Sequence, residues 1–360
     1  MNKVQKALLV LLKAGLWERK IEDLSCFPLS VDEWKRLYLL SRQQTVTGIV
    51  FQGVQYLAEH FLPADELLVR WMAEADAIER KNMRMNRVLE ALVQWFEERG
   101  VYPILQKGQG IARLYETPLL RECGDIDFYF DSRQTFEKAF SLVHQCGLQE
   151  KVHADQSVVY TWKGVEVEHH IRLLDLHNPF LQRYAKELEQ KYGYDRMELE
   201  RGREVRIPSP ILNLQLQSLH ILKHALGWGI GLRQLCDMAR SCYKLHDEVE
   251  SEEIKKITLK LGMGRWQRLL HAFLVEHLGL LLEYLPYQEV AADSSSLLDI
   301  IWRGGNFGQY VSGYQRKSQS PLAGKWHTAC AFQRNARFAF QYAPKEGFWV
   351  FSSLLKGQLD

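Results

Sequence analysis

The chain has 360 residues, of which 46% are hydrophobic and 25% are charged. These fractions are typical of a globular chain with a sizeable core, and they exclude a disordered or fibrous one. The 46 basic and 44 acidic residues leave a formal net charge of +2, so no global basic field favours nucleic acid. The six cysteines form no C-x-x-C pair, which disfavours a zinc knuckle or a redox dithiol and is typical of a reducing compartment.

Neither a signal peptide nor a membrane span is expected. The N-terminal apolar run 7–12 is ended by Lys13 and is too short for either. No other run approaches the roughly 18 apolar residues that a spanning helix needs. We therefore expect a cytoplasmic protein without a membrane partner.

Residues 1–99 are predicted to be helical, because apolar residues recur there at intervals of three and four. Pro63 precedes a long segment of good helix formers, and Gly100 is expected to end that helix. The first of three regions is therefore an N-terminal helical region.

The apolar spacing changes at residue 100, and residues 100–208 are predicted to form a small mixed α/β core. In chain order we predict a strand at 101–105, a helix at 109–116, an aspartate-bearing strand, a helix at 133–146, and a β-hairpin of 158–162 with 165–171.

Residues 209–360 are predicted to be helical again. Ser209 and Pro210 suit the N-cap and the first position of a helix, and the polar stretch 314–322 is predicted to be a loop. The predicted fold class is therefore α+β: a small mixed sheet flanked by N-terminal and C-terminal helical regions.

Two aspartates, Asp125 and Asp127, carry the strongest chemical signal. Side chains alternate along a strand, so these two carboxylates share one face while Ile126 and Phe128 share the other. Crowded carboxylates cost free energy unless a cation or a shared proton lies between them. Oxygen ligands suit Mg²⁺, which completes its shell with water and phosphate oxygens. The segment therefore indicates metal-assisted phosphate chemistry, and the plain alternative is a solvated strand edge.

A third carboxylate is predicted on the second strand of the hairpin. Alternation there places Glu166, Glu168 and His170 on one face and the apolar residues on the other. Two aspartates and Glu168 would form a cage for two divalent ions about 4 Å apart, which can clamp both oxygens of an in-line phosphoryl displacement. Glu168 is also placed to accept the proton of an attacking hydroxyl. His170 is either close to the metal or a satisfied structural histidine.

An ordered set of motifs extends this pattern. In chain order it comprises Lys107-Gly108, Arg121, Gly124-Asp125-Ile126-Asp127, Glu168-His169-His170, His224, and the segment from Gly231 through Arg233 to Asp237. The set resembles the DNA-polymerase-β-type nucleotidyltransferase superfamily and, within it, the bacterial family of uncharacterised nucleotidyltransferases.

The resemblance implies an enzyme that moves a nucleoside monophosphate from an NTP, with ATP the expected donor, to a hydroxyl acceptor and releases pyrophosphate. It implies two Mg²⁺ ions, with Mn²⁺ as an alternative, held by Asp125, Asp127 and Glu168. The acceptor stays open between a small molecule, a sugar, a protein hydroxyl and an RNA end. The near-neutral net charge disfavours a long polynucleotide.

The segment that opens the short helix is the predicted phosphate side of the site. Gly108 would let the backbone approach phosphate, and Lys107 is either a phosphate contact or a surface charge at the end of a strand. Arg121 would pair with the triphosphate or with the carboxylates, or is a plain loop arginine. Gln109 stands where the superfamily has a second small residue. That departure supports the competing hypothesis of a non-catalytic scaffold that senses nucleotides or binds a partner.

The C-terminal region supplies further nucleotide-side candidates. His220 and His224 have a zinc-compatible spacing but no evident third ligand, so Lys223 or His224 reaching the phosphates is favoured. Arg233 and Asp237 are predicted either to bind the nucleotide or to form an intrahelical salt bridge. Arg334 and Arg337 form a basic patch for which a solvated face is favoured over an acceptor contact.

Overall fold

The structure is a computed structural model that describes residues 1–153, 155–227, 229–305 and 336–359. The predicted loop 314–322 and Arg334 lie outside the described residues. Within the described part of the chain, no helix combines the length and the apolar composition needed to cross a bilayer.

The N-terminal region is helical, as predicted, and its first two helices begin at local capping signals. The side chains of Asn2 and Ser30 accept the backbone N–H groups of Gln5 (2.9 Å) and Glu33 (3.2 Å), which satisfies donors that the first helical turn leaves free. The helices are α1 (Lys3–Trp17), α2 (Val31–Gln43), α3 (Thr47–Val54) and α4 (Asp65–Glu97).

Helices α1 and α3 pack so closely that a glycine is required between them. A Cβ atom on Gly53 would lie 1.9 Å from the carbonyl oxygen of Leu11, well inside van der Waals contact. The close approach of these two backbones is therefore specified by the glycine rather than by large apolar side chains.

A seven-stranded mixed sheet forms the centre of the molecule, which confirms the predicted fold class. The strands lie in the order β3-β4-β5-β2-β1-β7-β6. Strand β2 pairs in parallel with β5, and β1 in parallel with β7, while the other pairs are antiparallel. The strands are β1 (Ile104–Leu105), β2 (Ile126–Tyr129), β3 (Lys151–Val152), β4 (Val158–Trp162), β5 (Val165–His170), β6 (Tyr194–Glu198) and β7 (Glu204–Pro208).

The first predicted strand is shorter than expected. It covers Ile104–Leu105 rather than 101–105, because the N–H of Val101 closes the preceding helix by donating to Phe96 (3.0 Å) and Pro103 has no N–H to offer. The helix predicted at 109–116 instead runs from Lys107 to Ala112 as α5, and α6 (Arg133–Gln145) matches its prediction closely.

Residues 172–208 contain elements that the sequence patterns did not indicate. Helix α7 (Gln182–Tyr192) and the hairpin of β6 and β7 lie there. Strand β6 is at an edge of the sheet and exposes most of its side chains, so it lacks the apolar alternation by which strands are recognised.

Where the structure describes it, the C-terminal region is mainly helical, and its first helix begins at Pro210 as predicted. Ser209 occupies the N-cap position, but its side chain makes no capping hydrogen bond. The helices are α8 (Pro210–Leu226), α9 (Leu232–Leu245), α10 (Ser251–Lys260), α11 (Gly264–Leu278) and α12 (Ser295–Gly304), followed by helical residues 336–342 and the helix Pro344–Leu359.

Two apolar clusters cover the two faces of the sheet. One joins the N-terminal and C-terminal helices, with Leu8 and Phe273 among its buried side chains. The other joins one face of the sheet to α4 and α6, with Phe96, Phe128 and Val167 at its centre. The helical regions at both ends of the chain therefore share one core, while the predicted boundaries at 99 and 208 stay predictions.

Candidate active site

The pairing of β2 with β5 positions the two central carboxylates. In this parallel pair Asp127 lies directly opposite Glu168, so both side chains leave the sheet on the same face. The loop that enters β2 is held by α4, because Asn82 donates to the carbonyl of Arg121 (2.8 Å) and Lys81 to that of Cys123 (2.7 Å). A long helix therefore fixes the approach of the aspartate strand.

Asp127 is the centre of a compact polar group. Its Oδ1 lies 2.7 Å from Nε2 of His170 and 3.2 Å from the ammonium nitrogen of Lys107. The same His170 nitrogen lies 3.7 Å from Oε2 of Glu168. Ligand atoms of Asp127, Glu168 and His170 all lie within 4.8 Å of one another. Asp125 is outside this tight set, although it lines the same cavity as Asp127 and Glu168.

The two aspartates differ in protonation because their surroundings differ. Burial alone would raise the pKa of Asp127, but the charge of Lys107 and the hydrogen bond to His170 hold that pKa below its usual range. Repulsion by Asp127, reinforced by burial, raises the pKa of Asp125 to about 6. Burial opposes the charge of Lys107, yet the nearby carboxylates raise its pKa above the usual value. The group therefore contains an ionised carboxylate at Asp127, a more readily protonated carboxyl at Asp125 and a charged ammonium at Lys107.

The donor set fits a divalent cation. Two carboxylates and one imidazole converge, and oxygen ligands suit Mg²⁺ or Mn²⁺, whereas an imidazole ligand favours Mn²⁺ over Mg²⁺. The prediction that Asp125 and Asp127 both ligate metal stays a prediction, because the tightest set contains His170 in place of Asp125.

The non-helical turn at the start of α5 gives Lys107 its position. Lys107 and Gly108 adopt φ angles of 24° and 48°, a region that favours glycine, and this turn brings the lysine ammonium to Asp127. Gln109 follows inside the fold with 6% of its surface exposed, and neither atom of its side-chain amide has a partner among the described residues. A buried amide without hydrogen-bond partners costs folding free energy, so Gln109 is a candidate functional residue rather than a packing residue.

A cavity of about 180 Å³ opens above the carboxylates. Of the predicted nucleotide-side residues, those that line it are Lys107, Gly108, Arg121, His224, Arg233 and Asp237. His170 and Lys223 line a neighbouring cavity, and Gln109 lines neither. Burial lowers the pKa values of His220 and His224, so both rings stay neutral at pH 7.

Arg121 and Asp237 form a buried pair across 116 residues of sequence. Nη2 and Nε of Arg121 donate to the two carboxylate oxygens of Asp237 at 2.6 and 3.0 Å, and Tyr115 donates to the same carboxylate at 2.8 Å. The predicted alternative of an Arg233–Asp237 salt bridge is therefore wrong, because this bidentate partner takes the carboxylate. Arg233 instead donates to the carbonyl of Glu122 at 2.8 Å.

Lys223 was expected to reach the phosphates, but the structure pairs it with carboxylates. Its ammonium contacts Asp175 directly and lies 3.8 Å from Asp155, both on the wall of the neighbouring cavity. His220, which the sequence indicated only as a possible zinc ligand, lines both cavities. Tyr115 was missed, and no sequence signal marked it.

A mixed sheet with Asp125 and Asp127 at the start of β2, and with Glu168 on the neighbouring strand, resembles nucleotidyltransferase-like proteins. The profile of the family described as uncharacterised nucleotidyltransferase matches residues 30–279, and the chain belongs to that family. The resemblance noted from the motifs is thereby confirmed.

Among solved structures, the chain is similar to an antigenic nucleotidyltransferase-like protein from Paracoccidioides brasiliensis. The two share 15% sequence identity with a TM-score of 0.34, over 54% of this chain and 92% of the other. No curated protein matches the sequence.

Proposed function

We propose that the protein is a metal-dependent nucleotidyltransferase that moves a nucleoside monophosphate from an NTP, with ATP the expected donor, to a hydroxyl acceptor. The observation that carries the proposal is the convergence of Asp127, Glu168 and His170 within 4.8 Å, beside Asp125, in a chain of the nucleotidyltransferase family. A solvated strand edge does not account for it, because Asp127 is only 5% exposed.

The proposed reaction is an in-line displacement at the α-phosphorus. A bond forms between the acceptor oxygen and phosphorus, the bond to the bridging oxygen of the β-phosphate breaks, and its electron pair leaves with pyrophosphate. Glu168, at the edge of the cavity, accepts the hydroxyl proton. A divalent ion bound at the carboxylates would supply neutralisation of the phosphate charge.

Each residue around the carboxylates has a separate proposed task. Lys107 and His170 hold the Asp127 carboxylate in one orientation and keep it ionised. Arg233, on the wall of the cavity, contacts the nucleotide through donors that the Glu122 carbonyl does not use. Arg121 positions this wall through its buried pair with Asp237, rather than by contact with the triphosphate.

The test is pyrophosphate release from labelled NTPs in the presence of a metabolite extract, with Mg²⁺ and with Mn²⁺. Wild-type protein should release pyrophosphate and form a labelled product, and Glu168→Gln should abolish both because the base is lost. Asp131→Asn is the control, since Asp131 is a carboxylate shortly after the aspartate strand that pairs with Arg206 (3.0 Å) and does not line the cavity. Equal activity of wild type and Glu168→Gln would reject the mechanism.

A non-catalytic nucleotide sensor is the second candidate, and one observation favours it. Gln109 replaces a small residue of the superfamily pattern and buries an amide without partners. ATP binding without any pyrophosphate release, and release gained by Gln109→Ser, would select this alternative. Release by the wild-type protein would eliminate it.

A further inference from the structure

A second cavity of about 200 Å³ adjoins the one above the aspartates. The two share a wall formed by Lys107, Glu168, His220 and His224, which line both. Asp125, Asp127 and Gly108 line only the first cavity, whereas Ser157 and Asp175 line only the second. The proposed base therefore borders both cavities.

The second cavity has a polar and partly unsatisfied lining. The Lys223 ammonium contacts Asp175 and lies 3.8 Å from Asp155. Ser157 is only 2% exposed, lines the cavity, and has a hydroxyl without a hydrogen-bond partner among the described residues. A buried hydroxyl without a partner is costly, so it indicates a ligand independently of the carboxylates.

The geometry of in-line displacement assigns an occupant to this space. The entering oxygen and the leaving pyrophosphate must lie on opposite sides of the α-phosphorus. With the triphosphate in the first cavity, beside Gly108 and the aspartates, the acceptor needs a separate space from which its hydroxyl can reach Glu168. The second cavity borders Glu168 and is such a space.

We propose that the second cavity binds the acceptor, and that the acceptor is a small, uncharged, polyhydroxylated molecule of the sugar or polyol class. This inference rests on the proposed function. The acceptor hydroxyl forms its new bond to the α-phosphorus, its proton passes to Glu168, and pyrophosphate leaves with the electron pair of the broken bond. The product is a phosphodiester between the polyol and the nucleoside.

Size and charge select this class. Ligand pockets for drug-sized molecules occupy about 300–1,000 Å³, so a cavity of about 200 Å³ encloses a group the size of a monosaccharide. Asp155 and Asp175 are offset in charge by Lys223 and Arg172 on the same lining, so neither a phosphorylated nor a cationic acceptor is favoured. Carboxylates accept hydrogen bonds from hydroxyl groups, and the Lys223 ammonium donates hydrogen bonds to hydroxyl oxygens. Each hydroxyl group of a polyol can act in both ways.

The test measures transfer of labelled AMP from ATP to defined acceptors. The uncharged acceptors are glucose, mannose, ribose, myo-inositol and glycerol, and the contrasting ones are glucose 6-phosphate, glucosamine, a single-stranded RNA and denatured casein. We expect transfer to at least one uncharged polyol. Transfer only to a phosphorylated, cationic or polymeric acceptor would overturn the assignment while leaving the proposed function intact. Pyrophosphate release from ATP with a metabolite extract, but with none of these defined acceptors, would also overturn the assignment of the acceptor.

Two variants locate the acceptor site. Ser157→Ala and Asp175→Asn should each raise the KM for the polyol about 3–10-fold, the loss of one hydrogen bond, and leave the calorimetric Kd for ATP unchanged. Ser141→Ala and Asp195→Asn, on exposed positions, are the matched controls. An unchanged polyol KM in both test variants would place the acceptor elsewhere. If calorimetry shows that the wild-type protein does not bind ATP, the proposed function itself is rejected.

Discussion

Replacing Asp127 with asparagine is expected to destabilise the protein in the absence of metal. Like-charge repulsion from Asp125 and Glu168, taken alone, predicts the opposite, because removing one charge would relieve it. In the structure, however, Asp127 pairs with Lys107 and His170, and its pKa lies below the usual range in spite of burial. A lowered pKa means that the fold favours the ionised carboxylate, so its removal costs free energy.

The size of the loss follows from the partners that remain. A hydrogen bond to a charged group contributes about 1.5–3 kcal/mol, and leaving a buried charge without its partner costs about 3–5 kcal/mol. Lys107 keeps Asp125 and Glu168 as neighbouring charges, which reduces that cost. We therefore expect Asp127→Asn to lower the free energy of unfolding by about 2–3 kcal/mol.

Urea unfolding in EDTA of Asp127→Asn, Lys107→Met and the double variant measures this loss. The double variant should cost less than the sum of the single ones by about 1–2 kcal/mol, since the uncompensated ammonium is gone. Asp131→Asn, at a half-exposed ion pair away from the carboxylates, should change stability by less than about 1 kcal/mol.

Two results would refute this reasoning. One is an Asp127→Asn protein as stable as wild type or more stable, and the other is strict additivity with Lys107→Met. A further check uses metal: Mn²⁺ or Mg²⁺ should raise the unfolding midpoint of the wild-type protein but not that of Asp127→Asn, because only the former keeps the ligand.

Three other predictions concern residues around the site and in the helical core. Arg121→Lys keeps the charge but loses the bidentate contact with Asp237, so urea unfolding should show a loss of about 1–3 kcal/mol, and an unchanged midpoint would count against the pair. Arg233→Ala should raise the KM for ATP more than it lowers kcat, and steady-state kinetics with an unaltered KM would remove Arg233 from the nucleotide site. Burial lowers the pKa of His271 from 6.5 to about 4, so its contribution to stability is complete above the unfolded pKa and is lost as the pH falls toward 4. Wild type should therefore lose about 2 kcal/mol between pH 7 and pH 5 that His271→Gln does not lose, as measured by unfolding at both pH values.

Features that depend on neighbouring residues were predictable from the sequence. Strand alternation placed Glu168 and His170 on one face of β5, and in the structure their ligand atoms converge with that of Asp127. The helix start at Pro210 followed from the preference of proline for the first helical position. Edge strand β6 was missed because its exposed, charged residues carry no apolar period.

Pairings between distant segments were decided by the tertiary structure alone. Asp237 pairs with Arg121, across 116 residues, rather than with Arg233 one turn away, and Lys107 reaches Asp127 through a turn at Gly108. Lys223 lines only the second cavity, although the next residue, His224, lines both cavities. The physical reason is the same in each case: the sequence period determines which face a side chain leaves, but a long charged side chain finds its partner among whatever elements the packing brings within its reach.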